Sequence, residues 1–580
     1  MDLGRRALPW LVLLFVTIGI YLPALSNGFV WDDGSILTQN PLIPEPNGLW
    51  RIWFSGESLD YFPLTFSSFW IEWRLWGLRP MGYHAVNILL HAANAILVWR
   101  VLLRLCIPGA WVAALIFAVH PVNVATVAWI AERKNTLSMV FYLGAILWYL
   151  RFLASEKNLA YGLAIGLFLL ALLAKTSVIM LPFVLVLIFW WQRRGLTWRD
   201  AVRLIPFFAL SLAMGLLTIW FQNHRAIDGA LVPMGGWLAR ITNAAWAVWF
   251  YLRALLFPVD LSMLYPHRRG EAVSFKGILS LVLLVIVLGF AFVRRRGWGR
   301  PVLFGSGYFI ISLLPVIGFF RMYYFRLSPV ADQWLYVPEI GVIALVVAAF
   351  TRISTKWYAP VLVVLLLSSL TWQRVSVLKS EETLWTDVLQ KDPLSWTAST
   401  NLALLSFRRH ELPQALSLAR QAVKLEPDYV EGYLNLGAIL DADGRSSESL
   451  ACYQQAMKLR PDSAEVFAAL ALAQEKAGHP GDAVDSYREA LRLDPHDYQS
   501  YINLGSILYR QGRFPEAVVQ FREAIRERPD AADAHNDLAG ALYLSGDLNN
   551  AIQEYREALL LQPSHQDARS NLDALLKLPK

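Results

Sequence analysis

Two adjacent carboxylates, Asp32 and Asp33, close the segment Asn27-Gly28-Phe29-Val30-Trp31-Asp32-Asp33. Like charges this close repel, so each must stay hydrated or paired. One chemistry that uses the arrangement is general base catalysis. One carboxylate takes the proton of a reacting hydroxyl, and the second orients it, raises its pKa or ligates a divalent cation such as Mg or Mn. A solvated loop with one Asp capping a helix would use the same residues for no chemistry at all.

Other polar groups recur at the edges of apolar stretches. His84, Asn87 and His91 share one helical face at i, i+3 and i+7, a spacing that suits interhelical hydrogen bonds and ligand contacts alike. His120-Pro121, the turn Glu132-Arg133-Lys134, Lys175, Arg321, Arg326 and Asp332 follow. Loop charges are ordinarily just solvated, yet ionisable groups at bilayer edges often mark sites. Converging, they would make a cationic pocket facing the acid pair, suited to a phosphate leaving group and a carboxylate base.

The elements that must position these residues are membrane helices. The 580-residue chain is 56% hydrophobic, but its charge is divided: residues 1–379 carry 32 Lys+Arg and 15 Asp+Glu, and residues 380–580 carry 20 and 30. Eleven apolar runs long enough for a bilayer of about 30 Å lie near 8–25, 84–105, 110–130, 135–152, 158–174, 177–191, 203–221, 276–293, 302–319, 334–351 and 357–373. Every second connection is basic: Arg5 and Arg6; Arg100 and Arg104; Arg151 and Lys157; Arg193, Arg194 and Arg199; Arg294 to Arg296 with Arg300; Arg352 and Lys356. The positive-inside bias assigns these to the cytoplasm, which excludes a nucleic-acid surface as the reason for the basic excess. A further run at 241–257, holding Asn243 and Arg253, breaks the parity and is predicted to be re-entrant or interfacial. The first run is read as an uncleaved anchor, although Ala24 and Ser26 resemble a cleavage pattern. Phe62, Phe66, Phe69, Trp70, Trp73 and Trp76 recur at three- and four-residue steps and predict a helix lying in the membrane interface. Cys106 and Cys452 imply no disulfide framework.

Pro393, Pro427, Pro461, Pro495, Pro529 and Pro563 recur every 34 residues, the tetratricopeptide (TPR) period. In this register Ala403, Gly437, Ala471, Gly505 and Ala539 form a small-residue column that lets paired helices approach. The fold class is therefore all-α: residues 1–375 a polytopic helical bundle, 376–395 a lead-in helix, and 396–580 a water-soluble TPR α-solenoid of five pairs and a cap. Its concave face suits an acceptor protein or peptide, and a spacer or dimerisation arm is the plain alternative.

The stretches FVWDD (29–33), YHAVNILLH (83–91), HPVNVATVAWIAERKN (120–135), LLAKTSVIMLPF (172–183) and ADQWLYVP (331–338), followed by the repeats, resemble the transmembrane and TPR-containing O-mannosyltransferase family, within the GT-C superfamily of multi-span glycosyltransferases. The resemblance implies a GT-C-like bundle that moves a sugar from a polyprenyl- or dolichyl-phosphate donor to Ser or Thr hydroxyls on the non-cytoplasmic face. It casts Asp32 as the base and Asp33 as its orienting partner or a cation ligand. Arg133 and Lys175 would bind the lipid phosphate, with His84, His91, Arg321 and Arg326 beside them and Asn87, His120, Glu132, Asp332, Gln333 and Tyr336 in support. Two positions depart from the family pattern, since Phe62 and Gln333 stand where arginine is expected.

A lipid-diphosphate-dependent oligosaccharyl transferase or ligase, and a non-catalytic membrane-anchored TPR scaffold, are the competing readings. The expected location is a bacterial inner membrane with a cytoplasmic amino terminus and periplasmic repeats, or an endoplasmic reticulum membrane with lumenal repeats.

Overall fold

The computed structural model describes residues 2–58, 60–192, 195, 197–227, 232, 234–266, 273–353 and 358–577, with side chains from Leu8 onward. Arg193, Arg194, Lys356 and the side chains of Arg5 and Arg6 lie outside the described residues. Among the described residues there is no strand. The chain forms two compact units, Met1–Leu394 and Ser395–Lys580, so the lead-in helix Glu381–Lys391 is part of the first.

In the first unit all eleven apolar runs are helical, but they are not equivalent. Among the described residues seven helices are long and apolar enough to cross a membrane, from Leu8–Ser26 to Tyr358–Lys379. The apolar helices Ala110–Val119 and Pro121–Val127 meet at 49°, the geometry of a broken span or of a re-entrant loop. Pro121 has no N–H to continue the ladder and forces His120 into extended backbone. Asn158–Ala174 and Thr176–Gln192 are shorter apolar helices, parted where Lys175 is extended, and the run at 334–351 supplies the 15-residue helix Glu339–Ile353. The run at 241–257 is one unbroken helix, Trp237–Leu256.

The connections sort by sequence parity onto two ends of these helices. At one end the Trp191 indole donates to the Leu105 carbonyl and Arg300 to the carbonyls of Trp190 and Trp191, so arginine-bearing turns meet. At the other end the segments around 27–33, 129–135, 174–178, 222, 258–265, 319–335 and 371–391 are joined by hydrogen bonds. Gly305 and Gly341 let the helices Gly299–Leu313 and Glu339–Ile353 touch backbone to backbone, since a Cβ on either would fall 2.8 or 2.5 Å from the other's carbonyl oxygen. The aromatic helix Pro63–Trp76 turns Phe66 and Phe69 inward, against Leu37, Leu42, Ile43 and Ile52. These two rings build the core of the first loop, while Trp70, Trp73 and Trp76 of the same helix are partly buried against it.

The second unit is five helix pairs, from Trp396–Arg408 with Leu412–Leu425 to Ala532–Leu544 with Leu548–Leu561, followed by Gln566–Leu576. The small-residue column works as the sequence implies: a Cβ on Gly437 would lie 2.7 Å from the Tyr453 ring, and one on Gly505 would lie 2.6 Å from Phe521. Within each pair the turn needs a left-handed residue, supplied by Gly444, Gly478, Gly512 and Gly546, but in the first pair by exposed His410 at φ 62°. A side chain in this region costs about 1–2 kcal/mol, part of which glycine's greater unfolded-state entropy offsets. His410→Gly is therefore expected to stabilise the first pair by up to about 1 kcal/mol, read as slower amide exchange across residues 396–425.

Candidate functional site

The segment 27–33 is held from both sides. The Asn27 side-chain amide donates to the Val375 carbonyl (3.2 Å) and the Gly28 N–H to the Lys379 carbonyl (3.0 Å), which ties it to the end of the last apolar helix. On the other side Asp33 is fully buried, and its two oxygens accept the N–H of Val30 (2.9 Å) and of Ala131 (2.7 Å). Asp33 thereby fixes the segment to the turn Ile130–Glu132.

Asp32 is different. It is partly exposed, and its carboxylate has no hydrogen-bond partner among the described residues. Burial pushes it up to about 6, with Lys134 pulling down and Glu132 and Asp60 pushing further up. Burial pushes Asp33 up to about 8, against its two backbone donors. Of the two neighbouring acids Asp32 therefore ionises first.

Next to this pair lies a compact ionic group. Glu132 is buried between Lys134 Nζ (3.1 Å) and Lys175 Nζ (3.2 Å) and accepts from the Asn135 amide, which also donates to the Gln333 carbonyl (3.1 Å). Lys175 reaches the group because the break between two apolar helices leaves it extended, and Thr65 caps the preceding carbonyl, that of Ala174, at 2.9 Å. Asp60 accepts from Gln222 (2.6 Å) and acts electrostatically on Asp32, Lys134 and Lys175. An acceptor carboxylate, two lysines and a shared buried glutamate thus occupy one neighbourhood.

Several residues predicted for the phosphate are placed elsewhere. Arg133 has no exposed surface: it forms an ion pair with Glu72, bonds the Asn87 side-chain oxygen and donates to the Tyr83 carbonyl (2.8 Å). Its donors are spent within the bundle, so the cation beside Asp32 is the next residue, Lys134. His84 is buried against the backbone of Asn27 and Gly28. His91 contacts the Tyr336 hydroxyl (2.8 Å) and the Ala118 carbonyl (3.1 Å), and Asn94 joins the same hydroxyl (3.1 Å). His120 seals its own helix break, bonding Leu255 O at 3.0 Å and accepting from Val122 N at 3.3 Å. Asn87 also holds the Trp129 carbonyl (3.1 Å). These residues tie helices together around the site. Asp332 accepts from the Tyr265 hydroxyl (2.6 Å); burial pushes it up to about 6 while Arg374 pulls it down. Gln333 is buried beside Tyr324. Arg321 is exposed and Arg326 half-buried on the segment that brings the Tyr324 ring within 6.3 Å of Trp31. Phe62 packs into the apolar cluster of the first loop.

Lys134, Asp60, Glu72 and Glu339 were not singled out by sequence reasoning. Lys134 stood in a quoted turn, but nothing in the order Glu-Arg-Lys says which cation points where. Asp60 and Glu72 had no apolar periodicity to mark them. Glu339, fully buried and accepting from Asn123 (2.7 Å), sits where the sequence reads as the start of a helix. Among the described residues no three of His, Cys, Asp and Glu gather as ligands for a divalent cation, and Asp33's oxygens already accept two N–H groups.

Similarity to known proteins follows the same division. A protein O-mannosyl-transferase of Caenorhabditis elegans is 26% identical over 452 residues, 72% of this chain and 63% of that relative. Protein O-mannosyl-transferase TMTC3 of Homo sapiens is 25% identical over 488 residues, 75% of this chain and 53% of its own length. This chain is similar to the protein O-mannosyl-transferases. It spans 53 to 63% of the length of these two relatives. The tetratricopeptide repeat family matches residues 400–464, 468–521 and 502–571. Among solved structures, the TPR protein YrrB superimposes with a TM-score of 0.29 and 21% identity, covering 33% of this chain and 97% of its own.

Proposed function

We propose that the first unit is a membrane glycosyltransferase that moves a sugar, mannose by analogy with its named relatives, from a polyprenyl- or dolichyl-phosphate to a Ser or Thr hydroxyl of a protein. The observation that carries this reading is Asp32: a partly exposed carboxylate without a hydrogen-bond partner among the described residues, beside Lys134, which shares the buried Glu132 with Lys175. Asp32 takes the acceptor proton as the acceptor oxygen bonds to the anomeric carbon. The bond from that carbon to the phosphate oxygen breaks, and the lipid phosphate leaves with one more negative charge. Protonating Asp32 removes one negative charge from the site in the same step, so the two lysines meet the leaving phosphate with less competition. Asp33 positions Asp32 by anchoring its backbone. The repeats recruit the acceptor, and Asp32 and the repeats face the non-cytoplasmic side.

The test uses the full chain in lipid nanodiscs with mannosyl polyprenyl phosphate and a Ser/Thr-containing acceptor. Transfer that is present in the wild type and absent in Asp32→Asn supports the reading. Transfer only from lipid diphosphates would replace it with a ligase, and no transfer from any lipid donor, with partner capture by the repeats intact, would replace it with a scaffold. Cysteines placed at 28 and 577 should both react from the non-cytoplasmic side. Lys134→Gln is expected to lower kcat/KM for the donor by about 10- to 100-fold, the scale of one charged hydrogen bond.

A further inference from the structure

Trp31, the residue before Asp32, holds φ at 49°, a left-handed conformation that a bulky aromatic residue keeps only when its surroundings over-determine it. Three rings do so. Trp31 stacks on Trp129 with centroids 5.1 Å apart and planes 4° from parallel. Trp385 meets it edge-on at 5.2 Å and 72°, and Tyr324 leans on it at 6.3 Å. Trp129 lies just ahead of the turn that Asp33 grips, whereas Trp385 comes from the helix Glu381–Lys391.

That helix is firmly seated on the first unit. Ser380 and Thr383 cap its start reciprocally. Asp387 pairs with Arg374 (2.9 Å) and Lys391 (2.6 Å), and Lys391 also donates to the Leu261 carbonyl (2.7 Å). Leu384, Trp385 and Val388 are completely buried. Among the described residues the Trp385 indole N–H has no hydrogen-bond partner. A buried N–H is costly unless bonded, so what the position uses is the ring.

We propose that Trp385 is a positioning residue for Asp32: it locks Trp31 against Trp129 in left-handed backbone, and that lock aims the neighbouring carboxylate at the acceptor hydroxyl. The inference rests on Asp32 being the base. Without the Trp385 ring, residue 31 relaxes toward extended backbone, the Asp32 carboxylate swings from its place, and water reaches it.

The test compares Trp385→Ala and Trp385→Phe in the full chain in nanodiscs by two readouts. The first is carbodiimide labelling of Asp32 against pH, followed by mass spectrometry, which needs no enzyme activity. The second is the kcat and KM of sugar transfer. For Trp385→Ala the labelling midpoint should fall by about one pH unit or more as the carboxylate gains water. Its kcat should fall about tenfold or more, with the donor KM within about twofold, as expected of a misaimed base. Trp385→Phe, which keeps an aromatic edge, should restore both. A folded Trp385→Ala with unchanged midpoint and kcat overturns the proposal, as does a Phe variant as impaired as the Ala one. If the alanine variant is not monodisperse, Trp385→Leu takes its place against the same criteria. A shifted midpoint in a chain whose wild type transfers no sugar would uphold the positioning and sink the base reading.

Discussion

Asp32→Asn is expected to remove sugar transfer, by about 10²- to 10⁴-fold, without lowering thermal stability. The amide cannot take a proton. The Asp32 carboxylate has no hydrogen-bond partner to lose among the described residues, so the fold is indifferent to the change. Asp33→Asn should do the reverse. Its two oxygens accept N–H groups from Val30 and Ala131, and an amide would set a donor against one of them, costing about 1–3 kcal/mol. A thermal melt beside an activity assay thus separates two adjacent, identical residues. The pH profile supplies a second check. Asp32, raised to about 6 by burial, works as a base only when ionised, so transfer should rise with pH through about 6 and fall roughly tenfold per unit below it. An ordinary exposed carboxylate would place that limb near 4. A flat profile between pH 5 and 7, with chemistry limiting, would remove Asp32 from the role.

How far the sequence could be read depended on the range of the signal. The repeats declare themselves through a fixed 34-residue period in which a proline, a small residue and a glycine recur, so each helix pair is specified locally and the array follows. Apolar helices were legible too, because the bilayer fixes span length, although of the eleven runs read from the sequence only seven give described helices long and apolar enough to cross a membrane. The break at His120-Pro121 has a local cause and could be read, but Lys175 shows only as a charge between two apolar runs. Which cation faces Asp32 was not readable: Arg133 and Lys134 are neighbours, and the choice is made by Glu72, sixty-one residues away from Arg133 in sequence. The same holds for Trp385, which reads as part of a linker and proves to be a wall of the site only once the chain has folded back on residues 27–31.

Arg133→Ala is expected to be the most damaging single change to the folding of the first unit. The guanidinium and the Glu72 carboxylate are both buried, and deleting either leaves an unpaired charge in an apolar interior, a loss of about 3–5 kcal/mol. Against a typical total stability of about 5–15 kcal/mol, that is enough to lower the yield of monodisperse protein in detergent and its melting temperature alike. Replacing both partners, as Arg133→Met with Glu72→Leu, removes the stranded charge and should recover much of the loss, although the Asn87 side chain and Tyr83 carbonyl stay without their donor. This double variant decides between two roles for Arg133. As a structural tie, it allows the refolded double variant to keep transferring sugar with a donor KM within about threefold of wild type, because the phosphate is met by Lys134 and Lys175. As a phosphate ligand, it would leave a stable protein with a donor KM raised tenfold or more, the scale of one lost charged hydrogen bond, and the assignment of the site cations would return from Lys134 to Arg133.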